Sequence, residues 1–404
     1  MNKRGAFILV ICFFSLFTAF AIRYSYGILL PKMIPSLGIS KTHAGVIYGS
    51  FFIAYTVFSP VMGFLADRIK IRFILFSFSA VLGIGTFLMA YPASHVEASI
   101  FFAIAGVGAS YYSPVMVLAQ RWISDKRRGI MLSAITAGGA LGILITSLLM
   151  PMVVSLYSWR MGWKILGLLA LVVGTMSFVA VRDYPRVQID SHNTPLDGTE
   201  VSPIPARFVD AIRNGRFWLL GLSYLLLGFS VLVPFTFLTT YSVEEFAMPY
   251  KSATGLITVI AITSGIGRFF LGALSDAFGR IRLILISLSL IAIGTLGMVY
   301  QWGSLWLHFF ALIFGCGHGA VWPLYAACAS DYFSKRHVGT IIGMWTFLLG
   351  LGSMLCPAIA GWLADATGTL AWSFLLAGLT AIVSGLLLYP LNEKFTLTGS
   401  VKGR

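Results

Sequence analysis

The sequence predicts an all-α membrane protein: twelve transmembrane helices forming two pseudo-symmetric six-helix bundles. Three observations carry this. Of 404 residues, 58% are hydrophobic and only 10% charged, whereas soluble domains carry about 25% charged residues. Apolar runs of about 20 residues, long enough to cross ~30 Å of hydrocarbon, follow one another along the whole chain. The first half of the chain also reappears in the second at a nearly fixed offset.

The apolar runs fall near 7–30, 42–66, 73–91, 97–122, 130–155, 162–181, 217–240, 252–275, 283–301, 304–330, 339–364 and 371–390. The first is too long for a secretory signal and lacks a clean small-residue cleavage site, so it reads as a retained span. The pattern breaks once, at 182–216, where Asp183, Pro185, Asp190, Pro195, Asp197, Pro203 and Pro205 leave no apolar period. That segment reads as a linker, with one short amphipathic turn near 206–213. The expected organisation is an N-terminal six-helix bundle at 1–181, a cytoplasmic linker at 182–216, a C-terminal bundle at 217–390 and a cytoplasmic tail at 391–404.

Charge placement fixes the expected orientation. The net charge is +14, but its carriers cluster in alternate loops. Arg68, Lys70 and Arg72 follow span 2; Arg121, Lys126, Arg127 and Arg128 follow span 4; Arg182, Arg186, Arg207, Arg213 and Arg216 lie in the linker. The opposite loops keep only Lys32, Lys41, Arg160, Lys164 and Lys251. This positive-inside bias puts both termini in the cytoplasm of a multi-pass inner-membrane protein and removes the case for nucleic acid. Cys12, Cys316, Cys328 and Cys356 sit within apolar spans without a second cysteine or histidine at metal spacing. No HExxH or GxSxG motif occurs, and the linker is too short for a catalytic domain. Neither an enzyme nor a metal site or cofactor is expected, and the chain reads as a monomer.

The duplication is specific. Gly63 and Asp67 recur 209 residues later as Gly272 and Asp276, and Gly106, Gly108 and Pro114 recur as Gly315, Gly317 and Pro323. Gly129 and Gly142 answer Gly339 and Gly352 one residue further on, and Trp163 answers Trp372. Both halves begin and end on one side of the membrane, so they are parallel repeats, an architecture that sets its substrate site near the midplane between them.

The loop after span 2, Gly63-Phe-Leu-Ala-Asp67-Arg68-Ile-Lys70-Ile-Arg72, resembles the signature of the major facilitator superfamily, with Lys70 in place of its glycine. The second copy runs Gly272-Ala-Leu-Ser-Asp276-Ala-Phe-Gly279-Arg280. The resemblance implies the major facilitator fold. It also implies a conformational latch in which Gly63, Asp67, Arg68, Gly272, Asp276 and Arg280 hold one state by close helix approach and charge pairing. A plain charged turn is the alternative. More narrowly, Arg23-Tyr24-Ser25-Tyr26-Gly27, the run from Arg121 to Gly129, and Ser158-Trp159-Arg160 are similar to bacterial oxalate/formate antiporters and monocarboxylate porters. Ser264-Gly-Ile-Gly-Arg268 resembles the span in which that group keeps a substrate-binding arginine. Ser264 stands where animal monocarboxylate transporters carry aspartate, and span 11 lacks the lysine of oxalate exchangers.

Arg268 is informative on physical grounds as well. It stays protonated and lies 16 residues into span 8, about 24 Å along the axis, with no acid in the same span. Its helical neighbours Ala261, Ser264, Gly265 and Gly272 are small, and its fork fits a carboxylate. The competing reading is an arginine that braces a neighbouring helix. Arg23 in span 1 is the second cationic candidate, unless it snorkels to the headgroups. His318 lies among glycines in span 10 and is a candidate for binding or proton coupling, or else a packing residue. Tyr26, Tyr112, Trp322 and Tyr325 are candidates for the aromatic wall, with Tyr26 and Tyr112 preferred. All 14 acids fall in loops or at span ends, which argues against a carboxylate proton carrier at hydrocarbon depth.

The expected function is secondary active transport of a small organic anion, a monocarboxylate or related carboxylate, by alternating access. Protons would be the co-transported ion, or a counter-anion the exchanged one. The alternatives are a permease for a neutral or cationic solute, in which Arg268 is structural, and a sensor that binds without flux.

Overall fold

The structure, a computed structural model, describes residues 3–122, 128–181, 213–300, 303–333 and 338–399. Its first half contains α1 (Lys3–Leu37), α2 (Lys41–Arg68), α3 (Ile71–Leu88), α4 (His95–Ala109), α5 (Tyr112–Trp122), α6 (Arg128–Leu156) and α7 (Trp159–Ala180). The second contains α8 (Gly215–Glu244), α9 (Tyr250–Phe278), α10 (Arg280–Gly297), α11 (Ser304–Tyr332), α12 (Val338–Thr367) and α13 (Ala371–Gly399). Twelve stretches are long and apolar enough to cross a membrane, with α4 and the start of α5 sharing one of them. Most of the linker, 182–212, and the last five residues lie outside the described residues.

Helix ends follow local chemistry. Ser40, Ser94 and Ser158 cap α2, α4 and α7 by accepting the N–H of His43, Glu97 and Met161. Two elements depart from the sequence reading. The expected run 97–122 is broken at Ser110 and Tyr111, and Pro114 then sits in the first turn of α5, where its missing N–H has no helical acceptor to lose. Its repeat partner Pro323 lies inside an unbroken α11. At the C-terminus, α13 continues through Pro390 to Gly399, helical where a tail was expected.

The repeated glycines make equivalent contacts in the two halves. A Cβ on Gly106 would strike the backbone of Phe51 in α2, and one on Gly315 would strike Thr263 and Ile260 in α9. Gly108 touches Leu82 of α3 as Gly317 touches Ser287 of α10. Gly142 meets Phe17 of α1 as Gly352 meets Leu225 of α8. Lipid tails give apolar side chains no gain on burial, so helices in a bilayer associate where small residues let backbones approach. The internal repeat is thus visible as packing.

The termini share one face of the bundle, the near face. The far face carries the connections after α1, α3, α6, α8, α10 and α12. Polar contacts join the two halves toward the far face. Asp365 of α12 accepts the backbone N–H groups of Lys41 (3.1 Å) and Thr42 (2.8 Å) and the Thr42 hydroxyl (2.5 Å). Lys41 Nζ pairs with Glu244 at 3.0 Å. The Tyr250 hydroxyl donates to Ile28 O at 2.8 Å, and Ser147 and Thr258 share a hydrogen bond of 2.8 Å. Between these contacts the backbones touch. Gly27 lies against Phe235 and Thr236, Gly45 against Pro357, Gly49 against Met354 and Gly361 against Lys41. Toward the near face the pattern differs: among the described residues, a Cβ on Gly272 would meet nothing within 4 Å.

Candidate functional site

Between the halves, at mid-depth, lies the environment of Arg268 on α9. Its Nε donates to the carbonyl of Gly319 on α11 at 3.4 Å. Gly319 permits this because α9 and α11 are in backbone contact there; a Cβ would come within 2.6 Å of Ser264 Cα. The two terminal nitrogens of the guanidinium remain, and among the described residues no carboxylate pairs with them. Tyr24 of α1 and Tyr112 of α5, both from the other half, face the Arg268 charge closely enough to interact with it. The side chain of Arg268 is only partly buried, and Tyr112 is 39% exposed.

One turn from Arg268, Ser264 bonds His318 Nδ1 at 3.0 Å. The Trp322 indole N–H donates to His318 Nε2 at 3.2 Å. An indole N–H only donates, so Nε2 is the acceptor and Nδ1 carries the proton that Ser264 receives. Ser264, His318 and Trp322 therefore form one connected group, beside the arginine that the sequence singled out. Phe235 of α8 packs on the His318 ring at 4.9 Å and on Tyr24 at 4.5 Å, bridging the halves. Tyr224 meets Trp322 at 5.9 Å and extends this wall.

Other candidates lie elsewhere. Tyr26 is fully buried in the first half, where its hydroxyl donates to Ala44 O at 2.6 Å and its ring stacks on Tyr48 and Phe102. Tyr325 is likewise buried, hydrogen-bonded to Ser223 in a cluster with Ser384. Arg23 points among the aromatic rings of its own half. Its guanidinium is ringed by Phe20, Phe51, Phe52 and Tyr55 at 4.4–5.5 Å, a cation–π enclosure in which Nε has no hydrogen-bond partner among the described residues. Tyr24, Tyr55, Tyr224 and Phe235 were not singled out from the sequence. Gly27 held the missing signal for Tyr24: three residues apart, the two share the face of α1 that meets α8, whereas Tyr26 lies about 200° around the helix from Tyr24.

Of the latch residues, Gly63, Asp67 and Asp276 lie outside those whose side chains the structure describes. Arg68 is exposed. Arg280 Nε pairs with Asp331 at 2.8 Å within its own half, and Gly272 makes no close helix approach among the described residues.

The sequence model of the Major Facilitator Superfamily matches residues 12–300 and, in a second alignment, 252–401. The chain is 25% identical over 386 residues to the hexuronate transporter of Bacillus subtilis (strain 168), covering 90% of this chain and 89% of that protein. It is 24% identical over 306 residues to monocarboxylate transporter 12 of Xenopus laevis, covering 70% and 66%. Among solved structures, a bacterial homologue of the human lysosomal transporter Spinster, in an inward-facing and unoccupied conformation, superposes with a TM-score of 0.78 at 16% identity, covering 96% and 95% of the two chains. Sequence, repeat packing and fold agree: the chain is a multi-pass membrane protein of the Major Facilitator Superfamily, a family of transporters rather than enzymes.

Proposed function

We propose that this protein is a secondary active transporter that carries a small carboxylate across the inner membrane by alternating access, with proton symport or exchange for a counter-anion as the coupling. One observation carries the reading: Arg268, at mid-depth between the halves, uses only Nε for bracing and leaves both terminal nitrogens without a carboxylate among the described residues. Two parallel N–H groups with a full charge suit a carboxylate, and the surrounding phenols supply further hydrogen bonds. The named substrates of the two curated relatives, a hexuronate and monocarboxylates, are both carboxylates. The positive-inside bias supports cytoplasmic termini; the joined far face would then be external, and the partly exposed Arg268 would be reached from inside. Tyr24, Tyr112 and Trp322 would line the bound anion, and the motifs at Asp67 and Asp276 would set the inward–outward balance.

The test is uptake of labelled pyruvate, lactate and glucuronate into proteoliposomes, with and without an internal counter-anion or a pH gradient. Arg268→Ala abolishes uptake. Arg268→Lys keeps the charge but loses the fork and the Gly319 bond, raising KM about 10- to 100-fold, the worth of one charged hydrogen bond. Retained transport by the alanine variant, or no competition by any carboxylate, returns Arg268 to a brace for a neutral or cationic solute. Binding without flux would make the protein a sensor.

A further inference from the structure

His318 is the titratable side chain at the centre of the second half, and its surroundings define its role. Both ring nitrogens are engaged: Nδ1–H toward Ser264 at 3.0 Å, and Nε2 accepting from Trp322 at 3.2 Å. A proton added to Nε2 would face another donor, and the charged group facing the ring is Arg268 on α9. Phe235 of α8 and Phe314 of α11 cover the ring at 4.9 and 5.9 Å, and no carboxylate among the described residues is set against it. The ring is 5% exposed as a residue, so it presents little surface to a ligand.

What the ring does hold is the spacing of two helices. Ser264 and Arg268 are one turn apart on α9, and His318 and Gly319 are adjacent on α11. The Ser264–His318 and Arg268–Gly319 bonds are therefore successive rungs between the same helices. We infer that His318 is a positioning residue rather than a proton carrier or a ligand contact: fixed as its Nδ1–H tautomer, it sets the α9–α11 register at which Gly319 holds Arg268 Nε, and so aims the two terminal nitrogens at the anion. This rests on the proposed role of Arg268 as the anion's anchor.

The experiment compares His318→Leu, His318→Asn, His318→Gln and Ser264→Ala in proteoliposomes, using labelled pyruvate and glucuronate. His318→Leu removes both bonds and raises KM about tenfold, the size of one buried hydrogen bond with its orphaned partner. His318→Asn keeps a donor for Ser264 and recovers part of that loss. Ser264→Ala raises KM as well, and combined with His318→Leu it adds nothing further, because both remove the same rung. The pH profile of uptake keeps its wild-type shape in all four. An unchanged KM in His318→Leu overturns the inference in favour of plain packing. Loss of the response to an imposed pH gradient in His318→Asn and His318→Gln overturns it in favour of proton carriage. Should His318→Leu fail to reach the membrane, the polar variants and Ser264→Ala decide on the same criteria. Failure of the anchor itself is read separately, in Arg268→Ala.

Discussion

Asp365→Ala should shift the protein toward the state that is open at its far face. Asp365 belongs to α12, and all three of its acceptor bonds reach across the halves to the first turn of α2, two to backbone N–H groups and one to a hydroxyl. The carboxylate also faces the positive end of the α2 dipole. Charged hydrogen bonds contribute about 1.5–3 kcal/mol each when buried, but Asp365 is exposed and water replaces much of what is lost. A net loss of about 1–2 kcal/mol follows, or about 5- to 30-fold in the equilibrium between the two states. Tyr157 and Tyr300 stand on the far face, one in each half, 71% and 59% exposed. Spin labels at Tyr157→Cys and Tyr300→Cys would report the distance between halves by pulsed resonance. Asp365→Ala should populate a longer distance, and Asp365→Asn, which keeps one acceptor oxygen, a smaller fraction of it. Identical distributions for wild type and both variants would refute the claim that this carboxylate closes the far end.

Gly45→Ala places a methyl group into the backbone of Pro357, within 2.8 Å of Ala358 Cα; the same labels should show the far end parted even with Asp365 intact. Tyr26→Phe removes a buried hydrogen bond to Ala44 and should lower stability by about 1 kcal/mol, seen as a lower Tm in detergent with KM unchanged. Tyr112→Phe should do the reverse, raising KM several-fold while Tm stays put.

The fold was legible because its signals are periodic and long. Twelve apolar runs and a repeat of glycines need no tertiary knowledge, and each repeated glycine pair tested in packing touches the equivalent helix in both halves. The break before α5 was not legible: Pro114 and Pro323 are equivalent in sequence, and only the packing around each decides whether the helix restarts. At the site, Arg268 stood out because a charge in an apolar run is rare whatever surrounds it. The aromatic wall was harder. Tyr24 and Tyr26 have the same chemistry and nearly the same position, and they differ only in which side of α1 they occupy. The sequence reading prefers Tyr26, whereas contact with the opposite half belongs to Tyr24. The neighbours of Arg23 were hidden for the same reason, since Phe51, Phe52 and Tyr55 come from another helix.

The glycines at 27, 45, 49 and 361 have a mechanical consequence. Main chain lies on main chain there, so these four contacts, unlike the Asp365 and Lys41 side-chain pairs beside them, hold no side chain that can swing aside on its own. Such a joint cannot leak through a single rotamer flip; it parts only when one rigid half tilts away from the other along the whole line. In the proposed transport cycle, water and stray ions would be kept out by the same surfaces whose separation is the opening stroke, and a lone methyl on either one would be a wedge that holds the door ajar.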